Sequence, residues 1–497
     1  MLTESSTEII SIALGHFMLS VRNVASFSLI VLTWYYYVHK PVSSLINQIY
    51  HALRFHSVPS HPIFGHIKYL IPKFPNPYYE SIDASKNYYN LMMESNDPVK
   101  GSEISVVWIG WYPIYCISGA AVLEAVLSKS NVAKPSFYKY IGLRDGLVTS
   151  DPDKWRLHCN LIEPFFIAKR QKYFAEIMNK EISKLPQHIK GKVGVPCDIK
   201  QLINLSAMNI ITEVCLNIPS DELIDIKYSW LDNIEKGKGI ESAQIIAEKY
   251  RQAALERGNN NNENDSKNKR KEFESLYELL TEKETKEVNM DKEEIFDELM
   301  TIIAAGHETI SVAMQWTLFL LGNNPQIQDR LYKEIVDLFP GDTSVDDLEK
   351  ISQCQFLDQC IKESLRLKPP AHAIARKLEE DVIINGSKLL KDSIVTINLS
   401  ATHYDPKFFP NPLKYDPDRW SSIQKDTLPK GAYVPFSLGP RNYIGYRFAL
   451  LGMKVYLIHI IRKSTFKSTR KEDEIGHRFE ASLKPTSSLE LVFKMRE

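Results

Sequence analysis

Cysteine is scarce in this sequence, and none occurs beyond residue 360. The six cysteines include no C-x-x-C pair. Their spacing therefore argues against a disulfide framework and against a zinc site, and it suits a body that faces a reducing compartment. Net charge is lacking as well, because 61 basic residues balance 61 acidic ones. The composition thus gives no indication of a nucleic-acid partner.

The N-terminal region lacks charged residues over one long stretch. Residues 23–39 contain no Lys, Arg, Asp or Glu and end in an aromatic cluster that begins at Trp34. This length reaches the lower limit of about 17–25 residues for a membrane helix, and the aromatic residues suit a membrane interface. Glu4 and Glu8 stand where a cleaved signal peptide would carry positive charge. We therefore expect residues 1–40 to be a membrane anchor, with a buried core helix as the alternative.

Two further segments differ from the rest of the chain in composition. Residues 41–66 contain Pro59 and Pro62, which stiffen a hinge between the anchor and the body. Residues 258–272 contain no aliphatic or aromatic side chain and include a run of four asparagines. A segment of this composition buries too little apolar surface to fold, so we expect a disordered loop inserted between helices.

The segment FSLGPRNYIG, residues 436–445, carries two glycines and a proline directly before an apolar run that begins at Tyr446. Glycine permits positive φ angles and lets backbone N–H groups approach one point. Arg441, in the middle of the segment, is a fixed cation that suits a carboxylate. Taken alone, this segment predicts only a loop before a helix.

A long helix is predicted over residues 291–322, with acidic residues in its first turns, where the helix dipole favours them. Near its middle, Gly306 is followed by Glu308 and Thr309. The Thr309 hydroxyl can bond to the carbonyl of Ala305, and a glycine beside such a threonine allows a local opening of the helix. A bent core helix is the simpler interpretation of the same residues.

Charged residues form one more pattern. Glu363 and Arg366 lie three positions apart on a helix predicted over residues 353–367, which a Pro-Pro pair ends. A Glu-x-x-Arg pair by itself is typical of an exposed ion pair on a helix. Arg419, which follows in a Pro-x-Arg element, gives the pair more weight.

Together these patterns resemble the cytochrome P-450 family, the haem-thiolate monooxygenases, in its membrane-anchored microsomal form. The loop resembles the family's haem-binding motif F-x-x-G-x-R-x-C-x-G, with Phe436, Gly439, Arg441 and Gly445 in place. The cysteine of that motif is the ligand of the haem iron, and at its position this chain has Tyr443. The resemblance implies that the other four residues bind haem, and it leaves the ligation at Tyr443 open.

Two further motifs take their roles from the same resemblance. The centre of the long helix resembles the family's distal motif, which implies that Glu308 and Thr309 deliver protons during the activation of dioxygen. Glu363, Arg366 and Arg419 resemble a buried charged triad that supports the haem loop. Such a triad makes physical sense because a buried arginine needs an acidic partner.

The resemblance also implies that Trp155 and Arg376 contact the haem propionates. Trp155 lies in the first turn of a helix that Asp151 and the following proline predict. The family has an arginine four residues after this tryptophan, where this chain has Cys159. One further haem contact is therefore altered, and core packing alone would also account for Trp155.

The fold implied by the resemblance is mainly α with small β-sheets (α+β). Residues 67–497 then form a single domain, although the length alone would predict about three. The resemblance further implies haem as the cofactor, electrons from NADPH through a reductase, and a lipophilic small molecule as the substrate. It implies location at the endoplasmic reticulum membrane, with one N-terminal anchor and a cytosolic body.

Tyr443 leaves three hypotheses open. A thiolate pushes electron density onto iron and favours O–O cleavage, whereas tyrosine ligates haem in catalases. A phenol oxygen also stands several ångströms further from its Cα than a cysteine sulfur does. Glu308 and Thr309 favour a haem monooxygenase. Tyr443 and Cys159 favour a non-catalytic membrane scaffold or lipid-binding protein, and a tyrosinate-haem enzyme of the peroxidase type is the third hypothesis.

The uncharged run of residues 23–39 generates a first prediction. We expect the full-length protein to resist extraction from membranes by alkaline carbonate, because residues 1–40 anchor it in the bilayer. A shortened chain that begins at Lys40 should be extracted much more readily, as judged by immunoblotting of pellet and supernatant. Equal release of the two chains would rule out the anchor.

Overall fold

The computed structural model describes most of the chain after residue 102. The described residues are 103–109, 112–127, 132–140, 144–198, 200–219, 275–283, 290–384, 386–422, 427–479 and 482–496, with isolated positions at 42, 46, 49, 93 and 252. The predicted anchor, the predicted hinge apart from three isolated positions, and the predicted loop of residues 258–272 lie outside this description. Among the helices that are described, none combines the length and the apolar character needed to cross a membrane.

Helices dominate the described residues. In chain order they are α1 (Ala120–Leu127), α2 (Pro152–Ile162), α3 (Gln171–Ile182), α4 (Leu185–Lys190), α5 (Lys200–Leu216), α6 (Leu276–Lys283), α7 (Lys292–Asn323), α8 (Pro325–Leu338), α9 (Leu348–Gln353), α10 (Gln355–Leu367), α11 (Leu399–His403), α12 (Arg419–Ser422) and α13 (Tyr446–Lys463). The α7 helix packs against α5, α10 and α13, and it lies at the centre of the largest apolar cluster.

Small sheets accompany these helices in the described chain. The strands are β1 (Ile104–Ile109), β2 (Tyr112–Ile117), β3 (Pro196–Asp198), β4 (Ala373–Lys377), β5 (Val382–Ile384), β6 (Ser387–Leu389), β7 (Ile394–Asn398), β8 (Ser464–Ser468), β9 (His477–Phe479), β10 (Leu483–Pro485) and β11 (Glu490–Met495). They form sheets in the orders β1-β2-β7-β4, β3-β11-β8, β10-β9 and β5-β6. The β2–β7 pair is parallel, and the other pairs are antiparallel. The predicted class, mainly α with small β-sheets, is confirmed.

The long helix α7 begins and ends within one residue of its prediction. Asp291 caps it by accepting from the Glu294 N–H at 2.9 Å, and the Glu294 carboxylate accepts from the Asp291 N–H at 3.2 Å. This reciprocal capping box fixes where the helix starts. The Thr309 hydroxyl donates to the Ala305 carbonyl at 2.8 Å, as predicted.

The local opening that Gly306 would allow does not occur, because α7 is continuous through this residue. The glycine serves packing instead. A Cβ on Gly306 would lie 2.9 Å from Cδ1 of Ile211 in α5, closer than side-chain carbons approach one another. The small residue therefore lets α5 and α7 come close together, which the sequence pattern of α7 alone does not reveal.

The helix predicted over residues 353–367 is observed as α10, which begins two residues later than predicted. The α9 helix ends at Gln353, and α10 begins at Gln355 after a break at Cys354, whose ψ of 80° is not helical. Glu334 of α8 accepts from the N–H groups of Phe356 and Leu357 at 2.7 and 2.8 Å, and so satisfies the start of α10. A carboxylate on another helix determines this boundary, so local spacing did not predict it.

Candidate functional site

The loop of residues 436–445 folds back on itself before α13. Ser437 and Gly439 have φ angles of 66° and 79°, and the Ser437 N–H donates to the Val434 carbonyl at 2.9 Å. The Tyr443 N–H then donates to the Phe436 carbonyl at 3.0 Å. These bonds bring the two ends of the loop together, and the rings of Phe436 and Tyr443 stack with centroids 6.1 Å apart. Position 443 is thereby held in a defined place.

The Tyr443 side chain extends from this loop to α7. Burial raises the pKa of the phenol above its ordinary value, and a hydrogen bond with Thr309 offsets part of the rise. Because Thr309 already donates its own proton to Ala305, the phenol is the hydroxyl of this pair that can donate to the other. The phenol is therefore neutral at physiological pH and joins the loop to the distal helix.

Arg441 lies in the same loop but faces away from Tyr443. Its guanidinium donates to the carbonyls of Leu147 at 3.2 Å and Ser150 at 2.7 Å, and also to that of Val132. The guanidinium carbon stands 5.2 Å from the centre of the Trp155 ring. Among the described side chains, those that act on the Tyr443 pKa are Thr309 and Cys215, not Arg441. The Arg441 guanidinium therefore does not stabilise a phenolate at position 443.

Two further cations lie beside this arginine, the buried Arg376 and the half-buried Lys134. We call Lys134, Arg376 and Arg441 the cationic cradle. Burial lowers the pKa of all three, and repulsion from Arg376 lowers that of Arg441 further, to about 10. After burial, repulsion from both arginines also lowers the pKa of Lys134. Its ammonium stands 4.5 Å from the centre of the Tyr138 ring. The three cations thus repel one another in a poorly solvated place.

The cradle has no close acidic partner among the residues that the structure describes. Asp151 acts on Arg441, but its effect is smaller than the repulsion from Arg376. Arg376 donates to the carbonyls of Ala375 at 3.0 Å and Arg441 at 3.4 Å, and the buried Nε of Arg441 has no hydrogen-bond partner. Buried like charges of this kind are costly unless an anion neutralises them. The cradle is therefore suited to an anionic ligand.

Sequence reasoning missed Lys134, and no signal in the sequence marks it. A lysine before a proline in a loop has no pattern that distinguishes it from an exposed lysine. Cys159, at the position where an arginine was expected, is close enough to Arg441 to feel its charge, and burial raises the pKa of its thiol to about 11. Lys134 therefore supplies to this group of cations the charge that Cys159 lacks.

Glu308 and Thr309 are neighbours on α7 but have different partners. The Ser482 hydroxyl donates to the Glu308 carboxylate at 2.8 Å, and the ammonium of Lys484 lies 3.3 Å from it. Burial alone would raise the pKa of Glu308, but Lys484, His307 and Ser482 together bring it below its ordinary value. Glu308 is therefore an ionised carboxylate that faces the β9–β10 hairpin, whereas Thr309 contacts Tyr443.

Glu363, Arg366 and Arg419 meet in the interior. Arg366 donates to both carboxylate oxygens of Glu363 at 2.9 Å, and Arg419 donates to one of them at 2.9 Å. The Trp420 indole adds a bond at 3.0 Å, and the backbone N–H of Asp416 another at 3.0 Å. Glu363 and Arg366 have no exposed side-chain surface. The carboxylate is thus well satisfied, as a buried charge must be.

His403 links this triad to the loop. Its Nδ1 lies 3.2 Å from the Arg366 carbonyl, and its Nε2 accepts from the Val434 N–H at 3.0 Å. This arrangement requires a neutral imidazole that donates through Nδ1. Burial, and next the charge of Arg366, lower the pKa of His403 to about 3. The histidine therefore connects α10 to the residues that precede Phe436.

Comparison with known proteins identifies the family. A cytochrome P450 family model matches residues 58–236 and 221–493. Cytochrome P450 4V2 of Homo sapiens is 29% identical over 481 residues, which cover 88% of this chain and 89% of that protein. Cytochrome P450 3A40 of Oryzias latipes is 28% identical over 437 residues, which cover 81% and 86%.

This chain belongs to the cytochrome P450 family. Members of the family are haem monooxygenases that receive electrons from a reductase, so the family implies a haem cofactor here. In this cytochrome P450, the residues that would hold the haem propionates fit a haem, whereas the residue at the position of the iron ligand does not. The cationic cradle and Trp155 suit the two haem propionates. At residue 443 the fit fails, because a buried phenol with a raised pKa stands where the family has its ligand cysteine.

The Glu363 triad generates a second prediction. Glu363→Ala leaves Arg366 and Arg419 buried without their anion, so the free energy of unfolding should fall by about 3–5 kcal/mol. Urea unfolding followed by circular dichroism measures this change. Glu349→Ala, at an exposed position at the start of α9, is the matched control and should change stability by less than about 0.5 kcal/mol. Equal midpoints for the two variants would contradict the structural role of the triad.

The third prediction concerns pH. The pKa of His403 is about 3 in the folded chain against a reference of 6.5, so between these values the unfolded chain binds a proton that the folded chain does not. The free energy of unfolding should therefore decrease as pH falls from 6.5 to 5, by about 1.4 kcal/mol per pH unit for each such histidine. His403→Gln should reduce this slope by about one proton.

Urea unfolding at pH 7, 6 and 5 gives the slope for each chain. His188→Gln is the control, because it removes a histidine that is exposed. A His403→Gln slope equal to that of the parent would mean that His403 is protonated in the folded chain as readily as in the unfolded one.

Proposed function

We propose that this cytochrome P450 is a haem-dependent oxidoreductase of the monooxygenase type. It acts on a lipophilic small molecule at the endoplasmic reticulum membrane and takes electrons from NADPH through a reductase. The cationic cradle is the single observation that carries the proposal. Two buried arginines and a half-buried lysine without a close acidic partner among the described residues are what a ligand with two carboxylates requires.

The residues that would hold haem are those of the cradle together with Trp155. Arg376 and Arg441 offer guanidinium N–H groups, which suit carboxylates geometrically, and Lys134 adds a point charge. Trp155 covers the Arg441 guanidinium and is 8% exposed, so it excludes water from this side. When bound, haem supplies the iron at which the family activates dioxygen.

The α7 helix contributes the groups that can move protons. Glu308 is ionised because Lys484 and Ser482 hold its carboxylate, so in its resting form it takes up a proton before it can give one. Thr309 provides a hydroxyl that is oriented by the Ala305 carbonyl. The membrane location is supported by the uncharged run of residues 23–39, which also brings the body close to lipophilic substrates.

The contact between Tyr443 and Thr309 favours a second candidate function. A chain without a thiolate ligand, in which a neutral phenol reaches the distal helix, could serve as a membrane-held scaffold or lipid-binding protein without catalysis. The tyrosinate-haem hypothesis has less support, since burial raises the pKa of the phenol and Arg441 faces elsewhere.

The fourth prediction tests the two candidates. The reduced parent protein under carbon monoxide should lack the strongly red-shifted Soret band of a thiolate-ligated haem, because Tyr443 offers no sulfur. Tyr443→Cys should produce that band. Adding Arg376→Ala to Tyr443→Cys should weaken haem binding by about tenfold to a hundredfold, since a charge-assisted hydrogen bond is lost.

Lys139→Ala in the Tyr443→Cys background is the matched control, because Lys139 lies near the cradle in sequence but is exposed. Its haem content should equal that of Tyr443→Cys alone. A Tyr443→Cys chain that folds but takes up no haem would favour the scaffold function. A red-shifted band in the parent would show that another cysteine ligates the iron.

A further inference from the structure

A buried glutamate and a buried histidine join α2 to α7. Glu298 of α7 is 0% exposed, and His158 of α2 is 1% exposed. The His158 Nδ1 lies 2.7 Å from Oε1 of Glu298. The other carboxylate oxygen, Oε2, accepts from the Leu147 N–H at 2.8 Å. One carboxylate therefore fixes both α2 and the backbone that precedes it.

The segment of residues 144–150 lies tightly against α7. A Cβ on Gly146 would lie 2.8 Å from the Asp297 carbonyl oxygen, so the glycine lets the two backbones come close together. The Ser150 N–H donates to the Gly146 carbonyl at 2.9 Å and closes a turn. The place of this segment is thus set by α7, and Glu298 is the buried side chain of α7 that bonds to its backbone.

The carbonyls of the same segment hold Arg441. Those of Leu147 and Ser150 accept from its Nη2 at 3.2 and 2.7 Å, and that of Val132 accepts from its Nη1. The backbone therefore uses both N–H groups of Nη2. The Nε of Arg441 is buried and has no hydrogen-bond partner among the described residues. The Nε–H is thus left as a donor for a carboxylate oxygen.

We propose that Glu298 is a positioning residue for the cationic cradle, with His158 holding its carboxylate in place. Glu298 fixes the backbone of Leu147. The Leu147 and Ser150 carbonyls in turn fix Arg441, whose Nε–H meets one carboxylate of the ligand. The inference deepens the proposed haem function and rests on it, since haem is the ligand with two carboxylates. Glu298 acts through the backbone, so it affects recognition of the carboxylates and not of the apolar ring.

A purely structural pair between α2 and α7 makes a different demand on the same two side chains. Its removal would lower the free energy of unfolding and leave the preference of the site for carboxylates unchanged. Removal of a positioning residue changes that preference. A measurement that compares a carboxylate with its ester therefore distinguishes the two roles of Glu298.

The experiment compares two probes on the purified, haem-free full chain in detergent, with binding followed by porphyrin fluorescence anisotropy. Protoporphyrin IX carries two carboxylates and no metal, and its dimethyl ester carries no charge. Partition into detergent affects each probe equally in every variant, so it cancels when ratios of dissociation constants are compared. The parent should bind the free acid at least about tenfold more tightly than the ester. Glu298→Ala should reduce this ratio by about threefold to tenfold.

Three variants control the result. Glu298→Gln keeps an oxygen for the Leu147 N–H and should hold the ratio within about twofold of the parent. Glu181→Ala is the matched control, because it removes a buried glutamate of α3 that bonds to Asn209 at 2.7 Å. It should lower stability and leave the ratio unchanged. His158→Ala should lower the ratio by about twofold to threefold, and it serves if Glu298→Ala does not fold.

A double-substitution cycle tests the route through Arg441. Arg441→Lys removes the Nε–H and should lower the ratio by itself. With Arg441→Lys in place, Glu298→Ala should lower the ratio no further, because both changes act on the same contact. An undiminished effect of Glu298→Ala in this background would show that Glu298 does not act through Arg441, and would overturn the inference.

The other outcomes separate this inference from the proposed function. If Glu298→Ala and His158→Ala keep the preference of the parent, or if neither folds, the pair is structural, the positioning role is wrong and the haem function stands. If Glu298→Gln loses the preference as fully as Glu298→Ala, the bond to Leu147 is not what matters, and the positioning role is again wrong. If the parent binds neither probe, or both equally, the inference and the proposed function are both overturned.

Discussion

A buried charge needs a counter-charge. In this chain, the buried carboxylate of Glu363 obtains its counter-charges from side chains of the protein itself. Two arginines, an indole and a backbone N–H converge on it. Because these donors come from α10, from α12 and from the segment before α12, one carboxylate holds together three parts of the chain. His403 extends the connection to Val434, so the loop that follows depends on the same pairing.

The cationic cradle is the counterpart of this triad. Its arginines are as deeply buried as those around Glu363, with Arg376 at 2% exposure and Arg366 at 0%, yet the described chain offers them no such carboxylate. In the triad the anion belongs to the protein, whereas in the cradle it would come from a ligand. Fold stability alone would favour a neutralised or apolar interior, and this contrast is what supports the proposed ligand of the cradle.

Much of the local structure could be predicted from sequence spacing. The bond from Thr309 to Ala305 and the capping box at Asp291 involve residues three or four apart, where helix geometry decides the contact. The apolar run from Tyr446 likewise became α13. The mainly α fold and the family followed from the order of several such motifs along the chain.

Contacts between distant segments could not be predicted in this way. Lys134 joins the cradle, Arg441 turns to carbonyls almost 300 residues earlier in the chain, and Gly306 makes room for Ile211. Each depends on how whole elements pack, and no periodicity within one element encodes it. The interaction of Tyr443 with Thr309 could not be predicted either, because Thr309 lies in a distant segment of the chain.

The attachment of Glu308 has a consequence for the order in which the protein is made. Its partner Ser482 follows it by 174 residues. At a translation rate of 5–20 residues per second, roughly 10–35 seconds separate the synthesis of these two residues. Until the C-terminal hairpin has left the ribosome, α7 lacks the groups that hold its central acid. The contacts of Glu308 are thus completed last, when the N-terminal residues have long since emerged.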